Sequence, residues 1–126
     1  GLSLGRHPLA LLRKQLRRQG YRPSDELQTI GHRRIARCAG LVIHRQRPGA
    51  AGGVVFLTLE DESGSTNVVI WRDLAERQRA LVVGARLLGV IGIWERQGDV
   101  CHLVAGRLEN HDHLLGELQT QSRDFH

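Results

Sequence analysis

The sequence contains no Met, a single Lys among 18 basic residues, five aromatic residues and two Cys. Its apolar runs fall well short of the roughly eighteen residues that cross a bilayer, and no basic-then-apolar leader opens it. The expectation is a cytoplasmic chain that makes no use of a membrane. Cys38 and Cys101 each sit in a strand-like apolar run, where a free thiol packs as a small hydrophobe, and the expected compartment argues against a disulfide. No phosphate-cradling P-loop, no HExxH and no Ser or Cys nucleophile with a His partner in recognisable context is present. Catalysis on a small-molecule substrate is therefore not expected. The acidic triplet Glu60, Asp61 and Glu62 reads as the approach to a turn, because consecutive strand residues point to opposite faces. The pairs Cys101 with His102 and His111 with His113 lack the spacing of a four-ligand zinc site. The absence of Met and the start at Gly1 point to a piece of something longer.

What is present suits one domain: 126 residues, 40% of them apolar, enough to enclose one core. Charge is uneven along the chain. Residues 1–47 carry eleven basic side chains against two acidic ones, and the remainder carries seven against eleven. A basic block of this kind attracts polyanions by releasing their condensed counterions, although charge alone is weak evidence of such a partner.

Residues 8–19, PLALLRKQLRRQ, place Leu9, Leu12 and Leu16 on one helical face, with Pro8 suited to the first turn and Gly20 to the stop. A second short helix is expected from Ser24 as N-cap, with Asp25 and Glu26 complementing the dipole. These helices have apolar faces too short for a core of their own and read as a linker over residues 1–32. From Arg33 the period changes toward two. A first strand runs to about Arg45 with Gly40 as a bulge or bend, and the loop RPGAAGG follows. In the second strand Val55, Leu57 and Leu59 share a face, and in the third Thr66, Val68 and Ile70 do so. Turning those faces inward leaves Phe56, Thr58, Asn67 and Trp71 outside. The segment RDLAERQRALVV reads as one helix closing a barrel end, with Asp73 and Glu76 at capping-box spacing. Two more strands, residues 85–96 and 100–108, meet at a Gln97-Gly98-Asp99 turn. Apolar residues occupy both parities between Leu87 and Trp94, which leaves the faces of that strand open. Residues 111–126 read as a docked turn and then a loose tail.

The order of three strands, a helix and two strands over residues 33–110 is that of the OB-fold, a mainly β, five-stranded Greek-key barrel whose second and third strands and flanking loops hold oligonucleotides. On that frame an exposed Phe56 offers a π-face for a base, worth about 1–3 kcal/mol. Asn67 can donate to and accept from a base edge. Thr58 lies beside them, and Trp71 and Trp94 are further stacking candidates. Arg45 and Arg47 flank the loop after the first strand, and Arg96 lies at the last hairpin; all three are candidates for phosphate contacts. Arg33, Arg34 and Arg37 extend the track.

The runs RQRPGAAGGVVFLTLEDESGSTNVVIWRDLAERQR and LLGVIGIWERQGDVCHLVAGRL, with the closing HLLGELQTQSRDFH, resemble the C-terminal part of bacterial error-prone DNA polymerases, C-family enzymes related to the replicative polymerase III α subunit. The opening GLSLGRHPLALLR resembles the segment leading out of the preceding helical region. The resemblance implies a non-catalytic module for single-stranded template DNA in damage-induced translesion synthesis, working beside accessory proteins and the sliding clamp. It also implies that the catalytic aspartates and their Mg²⁺ ions belong to a palm domain absent here, so this chain carries no cofactor. A broader likeness to the anticodon-binding domains of class II aminoacyl-tRNA synthetases implies base stacking at Phe56, an amide reader at Asn67 and RNA as the alternative ligand. A protein-docking barrel is a further alternative. The loop that often carries a Lys in the error-prone enzymes reads Ala50, Ala51, Gly52, Gly53 here, which shifts the expected phosphate contacts to Arg45 and Arg47.

Overall fold

A computed structural model describes residues 6–47 and 52–124. Five strands close into a barrel: β1 (Arg34–Gln46), β2 (Val55–Asp61), β3 (Gly64–Ile70), β4 (Leu87–Gln97) and β5 (Val100–Asn110), in the spatial order β1-β2-β3-β5-β4. Helices α1 (Pro8–Arg18) and α2 (Ser24–Leu27) precede the barrel, α3 (Arg72–Arg77) and α4 (Arg79–Gly84) join β3 to β4, and α5 (Asp112–Asp124) follows β5. All neighbouring strands pair antiparallel except β3 with β5, which meet in parallel at Val68 with Leu103 and Val69 with Val104. This is the mainly β, five-stranded barrel expected from the strand order.

Alternation works as the pleat requires. Val55, Leu57 and Leu59 of β2 and Thr66, Val68 and Ile70 of β3 all turn into the barrel, none more than 3% exposed. Trp94 is buried among them and fills the interior, so it offers no stacking face. Strand β4 is apolar on both parities because both of its faces are covered. Leu88, Val90 and Trp94 face the barrel core, whereas Leu87 joins a second cluster with Leu9, Leu12, Leu16, Tyr21 and Leu114. The leucines of α1 thus bury against the barrel wall and α5, at about 2 kcal/mol each.

The sequence reading departs from the structure at several places in the fold. Register through Gly40 is regular, and the bulge falls at Ile43, between Val42 and His44. Gly40 is instead a point of close approach, since a Cβ there would lie 2.9 Å from the Glu60 carbonyl oxygen. The single helix expected after Trp71 is two, broken at Gln78. The Gln78 amide donates to Leu108 O and accepts from Leu108 N, both at 2.9 Å, so it pairs with β5 as a strand would and interrupts the helix. No capping box forms, because Trp71 rather than Asp73 occupies the N-cap. Where a turn and a loose tail were expected, Asp112–Asp124 form α5, started by Asp112, whose Oδ1 accepts from the backbone N–H groups of Arg86 and Leu87.

The acidic triplet fastens the N-terminal helices to the β2–β3 hairpin. Glu60 pairs with His7 at 3.0 Å and Glu62 with Arg13 at 2.7 Å. The Arg13 hydrogen bond holds the Glu62 carboxyl below its ordinary range. Asp61, with a fully buried side chain, accepts from Ser24 N and Oγ through one oxygen and from Ser63 N, Ser63 Oγ and Gly64 N through the other. Ser24 therefore opens α2 as its first residue, with Pro23 at the N-cap. Cys38 and Cys101 are free thiols, and burial pushes that of Cys38 up to about 11.

Candidate nucleic-acid interface

Outward-facing residues of β1, β2 and β3, with the start of β5, line an open groove of about 430 Å³. Cross-strand register builds it row by row. Gln46 stands opposite Phe56 and Phe56 opposite Val69; His44 stands opposite Thr58 and Thr58 opposite Asn67. Directly paired residues share a face, so these six side chains form one patch. Val100, Cys101 and His102 supply the β5 wall. Phe56 is 39% exposed and lines this groove, so its ring is accessible from it. The histidines and Asn67 surround it with hydrogen-bonding groups. His102 Nε2 lies 3.2 Å from Glu95 Oε1, which orients that ring.

Of the seven residues singled out from sequence, Phe56, Thr58 and Asn67 meet in this groove. Arg47 is exposed just past the end of β1. Trp71 is 58% exposed but caps α3 outside the groove lining. Arg45 stands opposite Leu57 and so faces away from Phe56; its guanidinium donates to Val82 O at 2.8 Å and also to Ala85 O at the end of α4. Arg96 donates to Gln28 O at 2.6 Å and Ile30 O at 3.3 Å, tying the segment after α2 to the β4–β5 hairpin. Other arginines of the early basic block are likewise engaged within the chain. Arg17 pairs with Glu26 and Arg33 with Glu95, while Arg37 donates to Gln19 O. Residues 48–51, including Ala50 and Ala51 of the expected phosphate loop, lie outside the described residues. His44, Gln46 and His102 were missed by the sequence reading. For His44 and Gln46 the signal was strand parity, which needs the bulge at Ile43 to be read correctly.

Among the described residues, no three His, Cys, Asp or Glu side chains converge where a metal ion could sit. The residues present therefore do not fit the Mg²⁺ pair of a polymerase palm, and no step here runs through one.

Residues 36–110 match the model of the family described as the OB-fold nucleic acid binding domain of the tRNA anticodon type. The chain belongs to the OB-fold nucleic acid binding domain family. The chain is 61% identical over its whole length to an error-prone DNA polymerase of Alkalilimnicola ehrlichii and 57% identical to one of Pseudomonas fluorescens. It spans 12% of the length of each, so the resemblance read from the sequence is borne out for a small part of those proteins. Asparaginyl-tRNA synthetase from Pyrococcus horikoshii, in complex with asparaginyl-adenylate, superposes with a TM-score of 0.60 at 20% identity. That match covers 71% of this chain and 22% of the synthetase, and it shows a shared fold. No helix among the described residues is long and apolar enough to cross a membrane.

Proposed function

We propose that the chain is a non-catalytic module that holds single-stranded DNA for an error-prone DNA polymerase copying damaged template. The observation that carries this reading is Phe56, a half-exposed aromatic ring in a groove bordered by hydrogen-bonding side chains. A ring so placed stacks on any base, whereas the flanking amides and imidazoles accommodate base edges and sugar without demanding one sequence. The similarity to error-prone polymerases supports DNA as the ligand, and translesion synthesis in the cytoplasm as the setting. Damage-response accessory proteins and the sliding clamp are proposed as partners of the whole protein, with Mg²⁺ confined to its palm domain.

Fluorescence anisotropy with short labelled oligonucleotides tests the reading. Wild type binds single-stranded DNA, and Phe56→Ala weakens it by about 1–3 kcal/mol. Equal affinity for both proteins removes the stacking role. The synthetase-like fold makes RNA the second ligand to try, and tighter binding of RNA than of DNA of the same sequence transfers the proposal to that class.

A further inference from the structure

A second groove, of about 570 Å³, lies between α1, the far end of β1, α4 and α5. Its walls are aliphatic, and Leu11, Ile43 and Val83 within it are 37%, 44% and 57% exposed. Clustered exposed aliphatic side chains with a polar rim mark interaction surfaces. Arg6, Arg45 and Arg86 line the groove and no carboxylate does. Arg45 is committed to the end of α4, but Arg6 and Arg86 are exposed and form no ion pair among the described residues. No aromatic ring lines the groove, so it offers a nucleobase no stacking platform.

We propose that this groove docks an acidic amphipathic helix of a partner protein, through an apolar stripe set against Leu11, Ile43 and Val83 and carboxylates set against Arg6 and Arg86. Charge complementarity selects the acidic face. Backbone geometry selects the helix over an added strand. Past Val42, whose N–H still donates to the Arg86 carbonyl at 2.9 Å, β1 pairs only with β2, but its open edge there is interrupted by the bulge at Ile43 and crossed by the Arg45 guanidinium. Bulges and covering side chains block strand addition, whereas a helix presenting apolar residues three and four apart needs only side-chain contacts.

The test uses the isotopically labelled 126-residue chain and two synthetic amphipathic helical peptides with the same Leu spacing, one carrying Glu on its polar face and the other Lys. The Glu peptide is expected to bind, with amide shifts centred on Leu11, Ile43, Val83 and Arg86. Val83→Asp and Arg86→Glu, both at exposed positions, should each weaken it about tenfold while leaving the dispersed spectrum and oligonucleotide binding intact. Equal binding of the Lys peptide, no binding of either, or shifts elsewhere would overturn the proposal. So would an oligonucleotide that shifts these same residues, or peptide-free self-association abolished by Val83→Asp, which would make the occupant nucleic acid or a second copy.

Discussion

Arg45 and Leu57 stand opposite one another across β1 and β2, and this pairing turns the arginine away from the groove that holds Phe56. The guanidinium instead closes the C-terminal end of α4 by donating to the Val82 and Ala85 carbonyls. Arg45→Ala is expected to lower stability by about 1.5–3 kcal/mol, the range for hydrogen bonds to a charged donor, and to leave oligonucleotide affinity nearly unchanged. Phe56→Ala should do the reverse. Denaturant titration alongside anisotropy on both variants separates the roles, and a large affinity loss in Arg45→Ala would place that arginine on the nucleic acid.

The groove lining contains no Lys or Arg, and Arg47 is the exposed cation just past β1. Few counterions should then be released on binding. The slope of log affinity against log salt for a single strand is expected near −0.7, about one phosphate contact, rather than the roughly −2 of three. Anisotropy at several salt concentrations measures it. Arg47→Ala should flatten the slope further.

Tyr21 Oη donates to Glu109 at 2.6 Å and lies 2.8 Å from His111 Nε2, inside the joint between α1, the barrel and α5. Because the tyrosine proton goes to Glu109, His111 supplies its own Nε2–H to Tyr21. Its buried Nδ1 then has no acceptor at hand for a second proton. Burial accordingly lowers the His111 pKa from its ordinary 6.5. The unfolded chain therefore binds more protons below that value, and the contribution to stability falls as pH drops through about 6.5 toward the folded pKa, by at most about 1.4 kcal/mol per pH unit. Glu109, held below the ordinary carboxylate range by Tyr21, stays ionised in this window. Thermal melts between pH 7.5 and 5.5 should show a steeper acid loss for wild type than for His111→Phe. Parallel curves would count against this assignment.

Asp61 satisfies five donors from two segments that are far apart in sequence. Asp61→Ala leaves the buried Ser24 N–H without its acceptor and removes the acceptor that holds Ser63 and Gly64 in the β2–β3 turn. The expected loss is about 3 kcal/mol, read from a denaturant midpoint shift at constant m-value.

Phe56, Thr58 and Asn67 could be placed from sequence because β2 and β3 alternate strictly and are joined by a tight turn, so local parity fixes their faces. Arg45 and Arg96 could not. Each lies at a strand end, where a bulge or a distant carbonyl decides which way a long side chain reaches. His44 and Gln46 were hidden for the same reason, since the extra residue at Ile43 reverses the parity of the rest of β1.

The amino-acid order alone dictated that five strands would form, where they would turn and which faces of the central hairpin would be apolar, because these follow from period-two patterning and turn chemistry between near neighbours. Tertiary structure decided which arginines are tied to carbonyls and carboxylates, that β4 is covered on both faces and that α1 and α5 share one cluster. Those outcomes depend on carbonyls, carboxylates and apolar surfaces brought together from opposite ends of the chain, and no short-range pattern encodes them.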